Sequence, residues 1–315
     1  MRICIVGTGV IGTIYGSLFA EAGHDVAHYV RSVESPRVRD GIRIELCDGR
    51  TSPPLDREST YHPRAFDELR PDHDFELILA SVRHDQLDAL LPVLAESRGT
   101  AELLLFGGRW DALEPIDTAL GRGGYLWGYP IAGGGFQDGY LDAALLPEVH
   151  LGALAAIDGR LDPVAELFRS CGLTIDVPAD MFAWLVVHFA IEAGIIGAAI
   201  AAGDPEVFLD DVERISEGIL AVRETLAIVR ARGIDVDTVG DAQVFHAPAE
   251  AVAEGIRQQY RVDLAARKIM TRHTGRVELG RIFGDVLATG RLLGVATPVL
   301  DRLEPAVNAY AGAPA

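Results

Sequence analysis

Lysine is almost absent from this chain of 315 residues: Lys268 is the only one, and the other 27 basic residues are arginines. Positive charge is scarce as well, because 46 acidic side chains against 28 basic ones give a formal net charge of −18. A charge of this sign argues against nucleic acid and anionic membranes as partners, since both are bound by cationic surfaces. It does not exclude a small anionic ligand that is bound by a local arginine.

Cysteine is scarce too. Cys4, Cys47 and Cys171 are odd in number and widely spaced, with no CxxC or Cys/His cluster. We therefore expect three free thiols in a cytoplasmic protein, with neither a disulfide framework nor a metal site. Only a short apolar run follows Met1-Arg2, so we also expect no signal peptide.

One stretch, residues 182–203, is apolar over the length of a membrane span. His188 and Glu192 lie inside it, one helical turn apart, and no lysine or arginine marks its ends. Flanking cations are typical of membrane helices. We predict instead a buried core helix of a soluble domain, and no membrane partner.

The first thirty residues contain a glycine-rich motif between two strand patterns. An apolar strand pattern (residues 2–6) precedes it, and a helical pattern that stops at Gly23 and a second strand pattern (25–30) follow. The motif consists of Gly7, Thr8, Gly9, Val10, Ile11 and Gly12. In this context it predicts a dinucleotide-binding turn. The first glycine permits the tight turn, the second lets the backbone approach a pyrophosphate, and the third lets the helix pack against the strand.

The end of the second strand indicates which dinucleotide is bound. An acidic residue there would accept hydrogen bonds from the ribose of NAD, whereas this chain has Arg31 followed by Ser32. Because an arginine pairs with a 2′-phosphate, the sequence favours NADP.

Further apolar strands are predicted at residues 75–82 and 101–106. Ligands of a doubly wound sheet bind at the carboxyl ends of its strands. The candidates at those ends are Arg83, Gly107 and Gly108. Residues 121–139, rich in glycine and aromatics, are either a loop beside the ligand or an irregular connection.

A change of character after Pro178 divides the chain. Its length already predicts two domains. We predict an α/β domain with a doubly wound parallel sheet of the Rossmann type over 1–178, and an all-helical domain over 179–315. The predicted helices of the second domain are 180–202, 205–232, 239–256, 257–273, 276–294 and a last one from about 298.

This order of elements resembles the ketopantoate reductase (2-dehydropantoate 2-reductase) family. The resemblance covers the whole chain and is carried by residues 1–31 and by residues 275–298, where a Glu precedes a glycine-interrupted helix and "GVATP". It implies a 6-phosphogluconate-dehydrogenase-like fold with an NADP-binding domain, a helical domain and an active site in the cleft between them. It also implies that Glu278 binds substrate.

Several family positions are changed. The family's catalytic Lys and the two Asn residues that follow it correspond here to Trp184, His188 and Glu192. Its Asn-Gly pair corresponds to Gly107-Gly108, its strand-end Lys to Arg83 and its substrate-contacting Ser to Ala266. Lys268 lies two positions after Ala266 on a predicted helix and therefore points about 200° away. The chain thus lacks the usual proton-donating cation, and ketopantoate is not the expected substrate.

The spacing i, i+4, i+8 places Trp184, His188 and Glu192 on one helix face. His188 is either a general acid whose tautomer Glu192 sets, or half of a structural His-Glu pair in a helical core. Trp184 would stack on a nicotinamide or a flat substrate. We expect His246 and His273 to be exposed.

The leading hypothesis is an NADP(H)-dependent oxidoreductase that acts on a small carbonyl or alcohol, more apolar or aromatic than ketopantoate. One alternative is an NADP-binding protein without catalysis, such as a sensor or a partner subunit. Another is an NAD-linked opine-type or hydroxyacid dehydrogenase. The apolar helical domain also makes a homodimer possible.

Overall fold

A computed structural model of the protein describes residues 1–153 and 159–313. They form two compact units. The first comprises Met1–Gly107 and Asp111–Met181, and the second comprises Gly108–Trp110 and Phe182–Ala315. The sequence placed a domain boundary at residue 178 and gave no sign that residues 108–110 group with the helices.

The first unit is built on one sheet, with ten strands in the described residues. The strands are β1 (Arg2–Val6), β2 (Asp25–Tyr29), β3 (Ile42–Asp48), β4 (Leu55–Tyr61), β5 (Ala65–Phe66), β6 (Leu77–Ala80), β7 (Glu102–Phe106), β8 (Leu126–Gln137), β9 (Tyr140–Ala153) and β10 (Thr174–Asp176). The helices of this unit are α1 (Val10–Glu21), α2 (Pro36–Arg39), α3 (His84–Ser97), α4 (Glu114–Leu120) and α5 (Leu161–Ser170).

Strand order explains where the apolar runs lie. The sheet runs β4-β3-β9-β8-β7-β6-β1-β2-β5, and β10 pairs with β9. From β8 to β5 all neighbours are parallel, whereas β3–β4 and β8–β9 are antiparallel. The central strands β1, β6 and β7 are apolar and almost wholly buried, as parallel strands covered on both faces must be. The predicted α/β class is confirmed, with an antiparallel addition on one side.

The glycine-rich segment 121–139 is neither of the two alternatives left open by the sequence, a loop beside the ligand or an irregular connection. Most of it forms β8, a strand of 12 residues that is irregular only between Pro130 and Ala132. A Cβ added at Gly134 would lie 2.2 Å from the carbonyl oxygen of Asp142 on β9. Glycine is therefore required there for close approach of the two backbones.

The three cysteines all lie in the first unit, where they are free and buried. Burial raises the pKa of Cys4 to about 12. Since the thiolate is the reactive form, Cys4 is expected to be chemically inert at neutral pH.

All regular elements of the second unit are helical in the described residues. Its helices are α6 (Met181–Ala201), α7 (Pro205–Asp210), α8 (Val212–Ala231), α9 (Ala249–Val262), α10 (Leu264–Thr271), α11 (Arg276–Leu293) and α12 (Pro298–Gly312). Two 3₁₀ segments, Val236–Thr238 and Gly240–His246, precede α9.

Three predicted helices are wrong in detail. The break predicted between 256 and 257 lies inside α9, and the chain breaks instead at Asp263, before α10. The pattern over 205–232 is broken at Asp211, which adopts an extended backbone and accepts hydrogen bonds from the backbone N–H groups of Glu213 and Arg214. It thereby caps α8 and separates it from α7. The pattern over 239–256 begins as a 3₁₀ segment, and α-helix starts only at Ala249.

Helix α6 is the apolar stretch that has the length of a membrane span. By length and composition alone it is able to cross a bilayer, but 67% of its apolar window is buried inside the protein. The hydroxyl of Thr225 on α8 donates to the carbonyl of Ala190 at 2.7 Å, which ties the two helices together. These contacts are those of a core helix.

Candidate functional site: a glycine turn and a histidine–carboxylate cluster

The glycine turn connects β1 to α1 as the motif predicted. Gly7 has a φ of +88°, which only glycine adopts without strain, and its N–H donates to the carbonyl of Tyr29 on β2 at 2.8 Å. Gly9 is the N-cap residue of α1, and its carbonyl accepts the N–H of Thr13 at 2.9 Å. The turn therefore delivers the N-terminus of α1 to the carboxyl end of β1.

Two glycines of the turn have different surroundings. A Cβ added at Gly12 would lie 3.1 Å from the carbonyl oxygen of Gly7 and 3.2 Å from the side chains of Ile5 and Ser81. A Cβ added at Gly9 would meet nothing within 4 Å. Gly12 is thus closely packed by the protein itself, so a side chain there would have to displace its neighbours slightly, whereas the space above Gly9 is open.

The N-terminus of α1 is suited to an anion. No side chain caps it, and its first turn carries no acidic residue. Backbone N–H groups at such an end, together with the helix dipole, attract phosphate. The buried hydroxyls of Thr13 and Ser81 also have no hydrogen-bond partner among the described residues. The turn therefore fits the diphosphate of a dinucleotide.

A second arginine, Arg37, adds positive charge near the end of β2, where the sequence indicated only Arg31. Arg31 and Ser32 are exposed, and the Ser32 hydroxyl accepts the N–H of Glu34 at 3.2 Å. Arg37 on α2 lies with its guanidinium carbon 3.5 Å from the centroid of the Phe136 ring. One of its N–H groups donates to the carbonyl of Thr8 in the glycine turn at 3.5 Å. Sequence reasoning missed Arg37, because nothing local shows that Phe136 on β8 lies beneath it.

The other strand ends are more occupied than expected. Arg83 follows β6, and its guanidinium binds both carboxylate oxygens of Asp85, at 2.9 and 3.0 Å. Gly107 follows β7, and its carbonyl accepts the indole N–H of Trp127 at 2.7 Å. Gly108 begins the short segment that groups with the helical unit. Much of the charge of Arg83 is therefore balanced within its own loop.

In the helical unit, the predicted face of α6 is present. The rings of Trp184 and His188 are stacked, with centroids 4.7 Å apart and planes 16° from parallel. The Nε2 atom of His188 lies 3.7 Å from a carboxylate oxygen of Glu192, and its Nδ1 atom lies 3.9 Å from one of Asp241. His188 keeps 23% of its side chain exposed, while Trp184 is only 5% exposed. Trp184 thus supports the imidazole and is poorly placed to be an open platform for a substrate.

A second histidine lies in the same unit beside Glu278. Glu278 is in the first turn of α11, and one of its carboxylate oxygens is 3.6 Å from the Nε2 atom of His273. The backbone N–H of Gly275 donates to Nδ1 of His273 at 3.1 Å, so the neutral ring carries its hydrogen on Nε2. Burial lowers the pKa of His273, although the Glu192 carboxylate acts in the opposite direction.

His273 was expected to be exposed, but it is half-buried, with 33% of its side chain exposed. His246 is 54% exposed, as expected, and lies 3.3 Å from a carboxylate oxygen of Asp237. In the described parts of the chain, no group of three or more His, Cys, Asp or Glu residues is arranged to hold a metal ion.

A glycine turn on a parallel sheet, followed by a helical unit, defines a Rossmann-type α/β protein with an all-helical second part. Residues 3–129 match the family described as "Ketopantoate reductase PanE/ApbA". The 2-dehydropantoate 2-reductase of Vibrio cholerae serotype O1 is 24% identical over 318 residues, covering 96% of this chain and 95% of that protein. The predicted resemblance to the ketopantoate reductase family is confirmed.

Solved structures share the fold. The 2-dehydropantoate 2-reductase of Geobacter metallireducens GS-15 has a TM-score of 0.69 at 17% identity, with 98% of this chain and 99% of that chain covered. A D-mandelate dehydrogenase, in a ternary structure with NADH and anilino(oxo)acetate, has a TM-score of 0.72 at 15% identity, with 99% and 98% covered. Proteins of this fold therefore include one that binds NADH.

Proposed function

We propose that this protein is an NADP(H)-dependent oxidoreductase that interconverts a carbonyl and an alcohol, that His188 handles the proton, and that ketopantoate is not its substrate. The observation that carries the proposal is the setting of His188. The imidazole is stacked on Trp184, has a carboxylate near each nitrogen, and retains an exposed edge. The similarity to the ketopantoate reductase family supplies the reaction class.

The cofactor would be held by the first unit. Gly9 and the N-terminus of α1 would receive the diphosphate, since the space above Gly9 is open and the helix end is uncapped. Arg31, Ser32 and Arg37 would surround a 2′-phosphate at the end of β2. When bound, the reduced nicotinamide supplies a hydride with its electron pair to the carbonyl carbon.

The helical unit would supply the proton. Reduction of a carbonyl leaves negative charge on its oxygen, which a positioned acid neutralises. Protonated His188 gives its proton to that oxygen, and Glu192 and Asp241 stabilise the charged imidazole and fix its orientation. A displaced asparagine cannot restore the family pattern, because the only asparagine in the sequence is Asn308, exposed on α12.

The changed positions favour an apolar or aromatic substrate. Polar groups of the family pattern are replaced by Gly107, Trp184 and Ala266. Glu278 remains and would accept a hydrogen bond from a substrate hydroxyl. The structural similarity to a D-mandelate dehydrogenase supports the same substrate class, an aromatic 2-keto acid or 2-hydroxy acid.

That similarity also favours a second candidate, an NADH-dependent 2-hydroxyacid dehydrogenase. The two candidates differ in the cofactor and not in the role of His188. We expect Arg31→Ala and Arg37→Ala each to raise the Kd for NADPH about tenfold or more, because a hydrogen bond to a charged group contributes about 1.5–3 kcal/mol. The Kd for NADH is expected to change less than threefold, since NADH lacks the 2′-phosphate. Both are measured by fluorescence titration.

Arg39→Ala is the matched control, because Arg39 lies on the same helix and forms an exposed ion pair with Asp40. Its affinities are expected to equal those of the wild type. A wild type that binds NADH more tightly than NADPH, or arginine variants that lose both cofactors equally, would favour the second candidate.

A further inference from the structure

His28 is a fully buried histidine directly beneath the glycine turn. It is the next-to-last residue of β2, where its backbone pairs with Ile5 of β1 and Ala65 of β5. Its side chain has no exposed surface. A buried imidazole needs hydrogen-bond partners for both nitrogens, because an unsatisfied polar group is costly in a low-dielectric interior.

Both partners are present, and they fix the tautomer. Nδ1 lies 2.7 Å from the carbonyl oxygen of Gly7, and Nε2 lies 2.8 Å from the hydroxyl of Tyr61. A carbonyl oxygen only accepts, so Nδ1 carries the hydrogen and donates it to Gly7. In the neutral ring Nε2 then accepts from the Tyr61 O–H. Burial lowers the pKa of His28, which agrees with a neutral ring.

The surrounding chain is fitted to this histidine. A Cβ added at Gly16 of α1 would lie 2.7 Å from Nε2 of His28 and 3.0 Å from the Tyr61 hydroxyl. The helix that begins at the glycine turn therefore rests on the imidazole only because residue 16 has no side chain. Tyr61 ends β4, and four residues later the chain enters β5 beside β2, which brings the hydroxyl to His28.

Gly7 is consequently held to β2 on both sides of its α-carbon. Its N–H donates to the carbonyl of Tyr29, and its carbonyl accepts from His28. Gly7 also has the positive φ that opens the turn. A change in the direction of its carbonyl would rotate the Gly7–Thr8 peptide and shift the N–H groups that follow it.

We propose that His28 is a positioning residue of the dinucleotide site: its neutral ring, donating to Gly7 and accepting from Tyr61, holds the glycine turn in the shape that receives a diphosphate. The inference rests on the proposed function, since it presumes that the turn binds a dinucleotide. It adds a residue that is neither a motif glycine nor a strand-end arginine, since His28 lies three positions before Arg31, and that does not itself touch the ligand.

Two substitutions, each of which keeps one of the two ring-nitrogen positions, distinguish this positioning role from a role in core stability alone. In His28→Asn, the amide nitrogen replaces Nδ1 and still donates to Gly7. In His28→Gln, the amide extends to the position of Nε2, and the donor to Gly7 is lost. We expect the Kd for NADPH, measured by fluorescence titration, to rise less than threefold in His28→Asn and about tenfold in His28→Gln. Tyr61→Phe is expected to lie between them, because it removes only the outer hydrogen bond.

Val164→Ala is the control for stability, because Val164 is buried in the core of the same unit on α5 and belongs neither to the turn nor to β2. It is expected to lower Tm and leave the Kd unchanged. Provided that the wild type binds NADPH, two results would overturn the inference. One is equal Kd values for the Asn and Gln variants, and the other is a Kd that follows Tm across all four variants. If the wild type binds neither NADPH nor NADH, the proposed function fails, and this inference fails with it.

Discussion

Replacement of His188 by alanine is expected to lower kcat for NADPH-dependent carbonyl reduction by about 100-fold or more, with a much smaller change in KM. General acid catalysis contributes roughly 10²–10⁴ in rate, and only the transition state needs the proton. The loss should therefore appear in kcat, measured by steady-state NADPH oxidation. His188→Gln should be as slow as His188→Ala, because an amide donates a hydrogen bond but does not transfer a proton at neutral pH.

His246→Ala is the matched control for this prediction. His246 lies in the same helical unit and also faces a carboxylate, that of Asp237, but it is exposed and far along the chain from α6. Its kcat is expected to equal that of the wild type. A His188→Ala variant that keeps more than a third of the wild-type kcat would show that His188 and Glu192 are a structural pair.

The second large effect is expected at the glycine turn. There Gly9→Ala should weaken NADPH binding, whereas Gly12→Ala should lower the stability of the protein. Gly9→Ala adds a methyl group to open space, so we expect a Tm within about 2 °C of the wild type, since an N-cap Gly→Ala change costs only tenths of a kcal/mol up to about one. If that space receives a diphosphate, the Kd for NADPH should rise about tenfold or more, because hydrogen bonds to a charged group are lost.

Gly12→Ala places its methyl group 3.1 Å from the Gly7 carbonyl oxygen, against backbone that has little room to move. Overpacking of this kind costs about 1–3 kcal/mol, so the unliganded variant should already be less stable. Thermal melts with and without NADPH distinguish the two variants. A Gly9→Ala variant that binds NADPH as tightly as the wild type would place the diphosphate elsewhere.

The parts of the fold that follow from local pattern were predictable. The β1–α1–β2 unit is defined by apolar periodicity and by glycines at fixed spacing, and α6 by a long apolar run. The stripe of Trp184, His188 and Glu192 also follows from helical periodicity alone. These predictions needed no information on which strands are neighbours.

The parts that depend on long-range pairing were not predictable in the same way. Strand β8 resembles a loop in sequence, because its glycines serve the close approach of β9. Asp241 fell in the first turn of the helix predicted over 239–256, whereas it lies in a 3₁₀ segment that brings it to His188.

The roles of Arg37 and His28 could not be predicted from the sequence for the same reason. Each depends on an aromatic partner from a distant segment, Phe136 for Arg37 and Tyr61 for His28. A buried histidine in a strand pattern is a weak signal by itself, and only the Gly7 carbonyl and the Tyr61 hydroxyl give it meaning. The candidate residues on α6 could therefore be named from the sequence, whereas Arg37, His28 and Asp241 could not.

The most direct test of the account is steady-state oxidation of NADPH and NADH by the wild type and by His188→Ala, with aromatic and aliphatic 2-keto acids, ketopantoate included. We predict that the wild type turns over at least one apolar 2-keto acid, and that it does so faster than it turns over ketopantoate. The rate with NADPH should exceed the rate with NADH, and kcat should fall about 100-fold in His188→Ala. NADPH binding without turnover on any substrate would contradict catalysis and indicate a dinucleotide-binding protein of another kind. Turnover that survives the loss of His188 would contradict its role as the acid.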